Sequence, residues 1–349
     1  MTSDRSNNSQ MISINLKEIF GYFISFALGI GLLIYTFRGV SINEVANEFS
    51  NINYFYLLLF ILVIFLGTFL RTLRWKFMIV TFKDDVKLKN LFEATVVGYG
   101  VNVLFPRLGE VARALYLGSS EKISRSSVLG TIIVERVYDL IFLLLSVLIS
   151  IWLFGEKLSE KYPWIYNSIY FGLWILGISF IALFLIIKFQ NKIVLWIEKF
   201  FSMIKLSKFS RASEITSKVI DGFNSIKTKR NYFLTFLLSP ILWFIYALGS
   251  YVGLLALNMH KILPVDLSSG LIIMSITTFG IMIPIPGSTG SYHAFCKSVL
   301  TMFLGFDVKI SLAYAVLTHL LSTIPFVIYS FFIILKQGLK KTFADFQAN

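Results

Sequence analysis

Six stretches of predominantly apolar sequence are each long enough to cross the hydrocarbon core of a bilayer, and they leave this chain few other ways to fold. A spanning helix needs about 20 apolar residues. Such runs fall at 19 to 37, 54 to 72, 128 to 154, 164 to 187, 232 to 258 and 311 to 335. Hydrophobic residues make up 56% of the chain and charged residues 15%, with a mean hydropathy of +0.75. A soluble domain averages about 45–50% apolar and about 25% charged, so the surplus apolar surface needs lipid to face. The first run exceeds the core of a signal peptide, about 7 to 15 residues, and no clear small-residue cleavage site follows it. It reads as a retained span.

Two further apolar stretches, 91 to 118 and 265 to 304, are interrupted by Pro106-Arg107-Leu108-Gly109 and by Pro284-Ile285-Pro286-Gly287. Proline removes a helical donor and irregular backbone is tolerated at membrane depth only where protein or a watery cavity surrounds it. Each stretch therefore reads as two half-helices folded back on one another.

The chain carries 32 Lys and Arg against 19 Asp and Glu, a net charge of +13. The bases sit in segments flanking the apolar runs, which suits an anionic inner leaflet rather than nucleic acid. Arg71 to Lys89 form one basic segment, and the stretch 188 to 231 holds ten Lys and Arg interleaved with residues such as Trp196 and Phe200. The latter reads as a solvated linker or an amphipathic surface pair touching headgroups. The opposite loops, around Glu44 and Glu48, Glu156 and Glu160, and Asp307, are near neutral or acidic. By the positive-inside rule the basic segments and both termini are cytoplasmic, in a multi-pass protein of the inner (plasma) membrane.

That assignment is consistent only if each broken stretch returns to the side it came from. The expected fold is all-α integral membrane, with six full spans plus two re-entrant half-helix hairpins in an inverted repeat. A cytoplasmic tail 1 to 18 precedes a first repeat 19 to 154 with a cytoplasmic hairpin 91 to 118. A second repeat 155 to 335 has a cytoplasmic basic loop 188 to 231 and an outer hairpin 265 to 304, followed by a tail 336 to 349. Gly100 precedes Pro106 by six positions, as Gly280 precedes Pro286. Inverted repeats are a transporter architecture.

Ionisable residues within apolar sequence are costly and mark a functional site by default. Around the first hairpin these are Asn102, Arg107, Glu110 and Arg113. Glu110 and Arg113, spaced i, i+3, can share a helix face and form either part of a site or a structural ion pair. The third run opens with Glu135-Arg136-Val137-Tyr138-Asp139, whose acids lie one turn apart. Arg107, Arg113 and Arg136 could hold a phosphate while Glu110, Glu135 and Asp139 order them or carry protons. Alternatively, Glu135 and Arg136 snorkel to the interface. Arg71-Thr72-Leu73-Arg74-Trp75, a basic-aromatic helix end, reads first as an interfacial anchor. The outer hairpin offers Pro286, Gly287, Gly290, His293 and Lys297 for a headgroup on the far side. His319 is either a proton relay or a histidine bonded between helices.

Walker-A, HExxH, CxxC and dinucleotide motifs are missing, so no cofactor or metal site is expected and a standard ATP-driven pump is excluded. Ser288 and Ser291 with the two histidines leave a serine hydrolase formally open, although Ser in a Gly-rich bend is usually turn chemistry. Cys296, the single cysteine, permits no intramolecular disulfide and reads as a small apolar filler.

The chain resembles the lysylphosphatidylglycerol synthase transmembrane, or flippase-like, family over roughly residues 20 to 335. The likeness rests on Arg71-x-x-Arg74-Trp75, on Gly98-x-Gly100-x-Asn102 leading to Pro106-Arg107-x-Gly109-Glu110-x-x-Arg113, on Glu135-Arg136-x-x-Asp139, and on Pro284-x-Pro286-Gly287-x-x-Gly290. Ser288 stands where many members have a second glycine, and His293 where some have an acid. The resemblance implies a membrane-embedded lipid handler, like the flippase-like half of the multiple peptide resistance factor. Only a short stretch to Asn349 follows the last run, so the soluble aminoacyl-transferase domain of that factor, and lysyl transfer, are not expected. The leading expectation is translocation, flippase or scramblase-like, of an anionic phospholipid or polyprenyl-phosphate-linked lipid, with a proton or ion gradient as its natural energy source. A membrane enzyme modifying a headgroup and a non-catalytic subunit of envelope assembly are the alternatives, and homo-oligomerisation is left open.

Overall fold

A computed structural model describes residues 16–159 and 229–347, with the isolated positions 170, 171, 174, 177 and 178. Every regular element among them is helical: α1 (Leu16–Phe37), α2 (Ile42–Asn47), α3 (Tyr54–Ile79), α4 (Leu88–Leu104), α5 (Leu108–Glu121), α6 (Arg125–Ser159), α7 (Lys229–Ala256), α8 (Leu267–Met282), α9 (Ser291–Ser298) and α10 (Val308–Gln347). Short 3-10 turns lie between, and a π-turn, Val299–Phe303, continues α9. Five helices, α1, α3, α6, α7 and α10, are long and apolar enough to cross a membrane, matching five of the expected runs. Apart from the isolated positions, the run at 164 to 187 and the basic loop as far as 228 lie outside the described residues.

Backbone groups have no water partner in lipid, so a helix is the only way for these segments to satisfy them. Polar caps set where the helices begin. The Asn53 carboxamide accepts from the Phe55 N–H at 3.1 Å to start α3, and Ser41 and Glu44 form a capping box on α2. Such caps stabilise a helix start by about 0.5–2 kcal/mol. Phe23, Ile34, Phe55, Trp152 and Phe331 are each more than half exposed, leaving an apolar outer surface for lipid to cover. The second run extends past its expected end at Thr72: α3 continues to Ile79 because its two arginines find partners inside the protein.

α4 and α5 fold back on each other through Phe105, Pro106 and Arg107. Arg107 caps α5 in the left-handed conformation, φ 67° and ψ −7°. A Cβ at Gly109 would collide with the Gly98 carbonyl and the Asn102 amide, so only glycine permits this approach of α5 to α4. The Asn102 side chain clamps the bend by accepting from the Gly109 N–H at 2.8 Å. The other ends of the hairpin are tied by Glu121, which accepts from Asn90 at 2.6 Å, the Lys87 N–H at 3.1 Å and Lys83 at 2.5 Å. The start of α4 and the end of α5 thus lie at the same pole.

α8 and α9 form the second hairpin, broken from Ile283 to Gly290, with Gly287 left-handed at φ 58° and ψ 13°. Its bend meets the first hairpin: a Cβ on Gly287 would lie 3.5 Å from Val103 Cγ1 at the end of α4. α1 lies alongside, with Tyr22 edge-on to Phe105 at 6.0 Å and Gly29 against Ile285 and Thr289.

The remaining contacts come in matched pairs. α4 packs on α10 as α8 packs on α6, α5 on α6 as α9 on α10, α3 on α4 as α7 on α8, and α3 and α7 pack on each other. Three buried clusters result among the described residues, the smallest around Phe142, Leu143 and Trp243. Of the two larger ones, one centres on Trp75, Leu91, Leu117 and Ile132, the other on Leu254, Ile273, Leu300 and Leu312. One pole joins α2, the start of α3 and the end of α7, through Asn53 N–H to Ala256 O at 2.8 Å and Lys309 to Glu44 at 2.7 Å. The hydrogen bond from Lys309 and those from Ser41 hold the Glu44 carboxyl down at about 2. The other pole gathers Lys83, Lys87 and Glu121, with Gln337 of α10 reaching Ser120 at 3.4 Å.

Candidate functional site

Four guanidinium groups converge on two carboxylates where α3, α5 and α6 meet. Glu135 is the hub, fully buried. Its Oε1 accepts from Arg71 Nε at 2.7 Å and from Arg136 at 3.2 Å, and its Oε2 accepts from Arg113 at 2.9 Å. Asp139, one turn on, accepts from Arg74 at 2.6 Å and lies 3.5 Å from both Arg71 and Arg136. The arginine side chains are 12%, 0%, 4% and 44% exposed for Arg71, Arg74, Arg113 and Arg136. Arg136 alone opens outward.

Aromatic rings and hydroxyls complete the shell. The Arg113 guanidinium lies 4.1 Å from the centroid of the Trp75 ring, where the π face attracts a cation. Trp75 is locked in turn by its Nε1–H donating to Thr131 at 2.9 Å. Arg74 donates to Ser239 of α7 at 3.3 Å, and Tyr99 of α4 lies under Arg71. The site is therefore lined by five helices.

The formal charges do not cancel: four positive groups face two negative ones, an excess of two in a largely dry interior. The Nε atoms of Arg74 and Arg113 are buried without a hydrogen-bond partner. Burying an unpaired charge costs several kcal/mol, so such an excess normally has an anion to meet. Glu135 lies ten residues, about 15 Å, along α6 from its start at Arg125.

Of the residues singled out from the sequence, Arg113, Glu135, Arg136 and Asp139 come together here. Asn102, Arg107 and Glu110 sit at the hairpin bend instead. Arg113 reaches across to α6 rather than pairing with Glu110, whose Oε2 is buried without a hydrogen bond. Arg107 is exposed and makes no hydrogen bond or ion pair among the described residues. Glu135 does not snorkel, being wholly buried. The anchor reading of Arg71, Arg74 and Trp75 is overturned, since Arg74 and Trp75 are 0% exposed and belong to the cluster. Their i, i+3 spacing on a helix running past Thr72 was the signal available.

At the second hairpin, Lys297 donates to the Thr36 carbonyl of α1 at 2.7 Å. The His293 and His319 rings stand 4.8 Å apart, and His319 Nε2 bonds the Gly287 carbonyl at 2.8 Å. The Ser291 hydroxyl bonds the Ser288 carbonyl and the Ser288 hydroxyl the Ile281 carbonyl, so neither serine is engaged by a histidine.

The family model for the lysylphosphatidylglycerol synthase transmembrane region matches residues 22–330, which takes in both hairpins and the whole cluster. The chain belongs to that family. As a member of the lysylphosphatidylglycerol synthase transmembrane family it is a multi-pass membrane protein. It is similar to a UPF0104 membrane protein of Methanocaldococcus jannaschii, 28% identical over 216 residues, which cover 55% of this chain and 63% of that protein. No solved structure matches it.

Proposed function

We propose that this protein translocates an anionic lipid, a phospholipid or a polyprenyl-phosphate-linked lipid, between the leaflets of the inner membrane, in the manner of a flippase or scramblase. The carrying observation is the excess of guanidinium over carboxylate in a cluster buried where α3, α5 and α6 meet. Arginine presents a planar fork of donors suited to phosphate oxygens. A headgroup crossing a bilayer needs such a partner midway, because leaving its phosphate unpaired in hydrocarbon is prohibitively costly. The matched helix contacts support an inverted repeat, and the meeting of the two bends supports hairpins that re-enter from opposite faces. In this reading Arg107, unpaired at the first bend, receives the phosphate and the cluster beyond it sets the positive potential that draws it in.

Reconstitution tests the reading. Vesicles carrying a labelled anionic or polyprenyl-phosphate lipid in one leaflet should exchange it only when the protein is present. Arg107→Ala should reduce exchange at least about tenfold while leaving the unfolding temperature near wild type, since one lost charge-assisted contact is about 1.5–3 kcal/mol. Arg107→Lys should recover it in part. No protein-dependent exchange of any anionic lipid, or exchange indifferent to Arg107, sinks the proposal.

A further inference from the structure

The two halves are in register at an offset of 180 residues. Pro106 corresponds to Pro286, and the residues that follow, Arg107 and Gly287, share the left-handed conformation at φ 67° and 58°. α4, α5 and α6 then overlie α8, α9 with its π-turn, and α10. In that register Arg113 corresponds to His293 and Asp139 to His319. Where the first half holds an arginine and an aspartate, the second holds two imidazoles, His293 being 5% exposed.

We propose that the His293–His319 pair is a proton-binding site that sets the bend of the second hairpin, the titratable counterpart of the arginine cluster. Its role in transport rests on the lipid reading above. A carbonyl can only accept, so His319 Nε2 carries the hydrogen of its bond to Gly287 and its Nδ1 is bare. His293 Nδ1 accepts from the Gly290 N–H at 3.4 Å, so its hydrogen is on Nε2. Each ring thus offers Nδ1 to an incoming proton. At His293 the proton displaces the Gly290 N–H and loosens the bend where Gly290 sits at φ 93°. At His319 it leaves the Gly287 bond intact and adds charge to the donor, which tightens the same bend. Two imidazoliums with centroids 4.8 Å apart repel, so the pair holds one proton rather than two.

Few other groups face the pair. Tyr292 stacks on His319 at 5.3 Å and shares a hydrogen bond with Thr318 at 2.9 Å. Lys297 is committed to the Thr36 carbonyl, and Cys296 and Tyr314 are buried nearby on α9 and α10. α8 and the Val299–Phe303 turn carry no ionisable side chain other than hydroxyls, and α1 presents Phe37 to His293 at 6.4 Å. No carboxylate among the described partners competes for the proton. The bend it controls touches Val103, so a proton on the second hairpin bears directly on the end of α4.

The chain has three histidines, so histidine-selective isotope labelling gives three imidazole signals, with His260 as an internal reference. As the pH is lowered from about 8 to about 4, His293 and His319 should take up one proton between them. His293→Gln should leave His319 to take up the proton alone. In vesicles the wild-type exchange rate should change by up to about tenfold per pH unit, the limit for one proton, and by less than about twofold over the whole range when both rings are replaced, in His293→Gln combined with His319→Gln. His260→Gln should behave as wild type. The site is refuted if neither ring takes up a proton, if the two titrate independently, or if the variant lacking both rings keeps the wild-type pH response. Wild-type exchange that ignores pH also refutes the site and leaves the lipid reading standing. Paired titration without exchange upholds the site and refutes the lipid reading.

Discussion

Glu135 receives hydrogen bonds from Arg71, Arg113 and Arg136 and lies 3.6 Å from Arg74, so its loss does not mirror the loss of any one arginine. Glu135→Ala raises the local excess from two positive charges to three. Arg113→Ala lowers it to one and leaves Glu135 still bonded by Arg71 and Arg136. Removing one partner of a buried pair costs about 3–5 kcal/mol, and the charge balance places Glu135→Ala at or above the top of that range and Arg113→Ala at or below its foot. Thermal unfolding in detergent would check the order, and equal losses would mean that the excess is already neutralised. Arg113, Glu135, Arg136 and Asp139 were legible in the sequence because ionisable side chains stand out in apolar runs. The partnership was not legible. Arg113 lies three residues from Glu110 yet bonds an acid 22 residues away on another helix, and only tertiary packing selects between them. Arg71 and Arg74 were misread for a related reason: hydropathy alone ends the run where the charges begin, whereas pairing lets α3 continue to Ile79.

Each hairpin combines a proline, a left-handed residue and a glycine that admits a close approach, and this punctuation made the breaks visible without a structure. What it did not reveal is that the two bends touch, or that the Asn102 side chain closes the first bend. A left-handed conformation costs a non-glycine residue about 1–2 kcal/mol, and Arg107 accepts that cost where the second hairpin has Gly287. Strain of this kind persists where the side chain is needed. Arg107→Gly should therefore raise stability by up to about 1 kcal/mol while abolishing lipid exchange, an opposition that neither a purely structural arginine nor a dispensable one would produce. Denaturant unfolding paired with the vesicle assay would measure both. A fall in stability on Arg107→Gly would show that no strain is stored at the bend.

Across the whole molecule, charge and connectivity agree on two poles. Glu121 ties both ends of the first hairpin to the pole of Lys83 and Lys87, while Lys309 and Glu44 join α10 to α2 at the other. α4 and α5, at 17 and 14 residues, are about 25 and 21 Å long, each shorter than a hydrocarbon core about 30 Å thick. Because bases are retained on the cytoplasmic side, the Lys83 pole should be cytoplasmic and the Glu44 pole external. Cys296 is buried, so a Cys296→Ser background leaves a clean ground for introduced thiols. Asp85, with its side chain 85% exposed, becomes the inner probe as Asp85→Cys, and the exposed Asn43 the outer one as Asn43→Cys. An impermeant thiol reagent applied to intact cells should label Asn43→Cys alone and reach Asp85→Cys only after the membrane is opened. Leu108→Cys, beside the first bend, should not be labelled solely from outside. The reverse sidedness at Asn43 and Asp85 would invert the proposed orientation, and external labelling of Leu108 alone would place the first hairpin on the wrong face of the membrane.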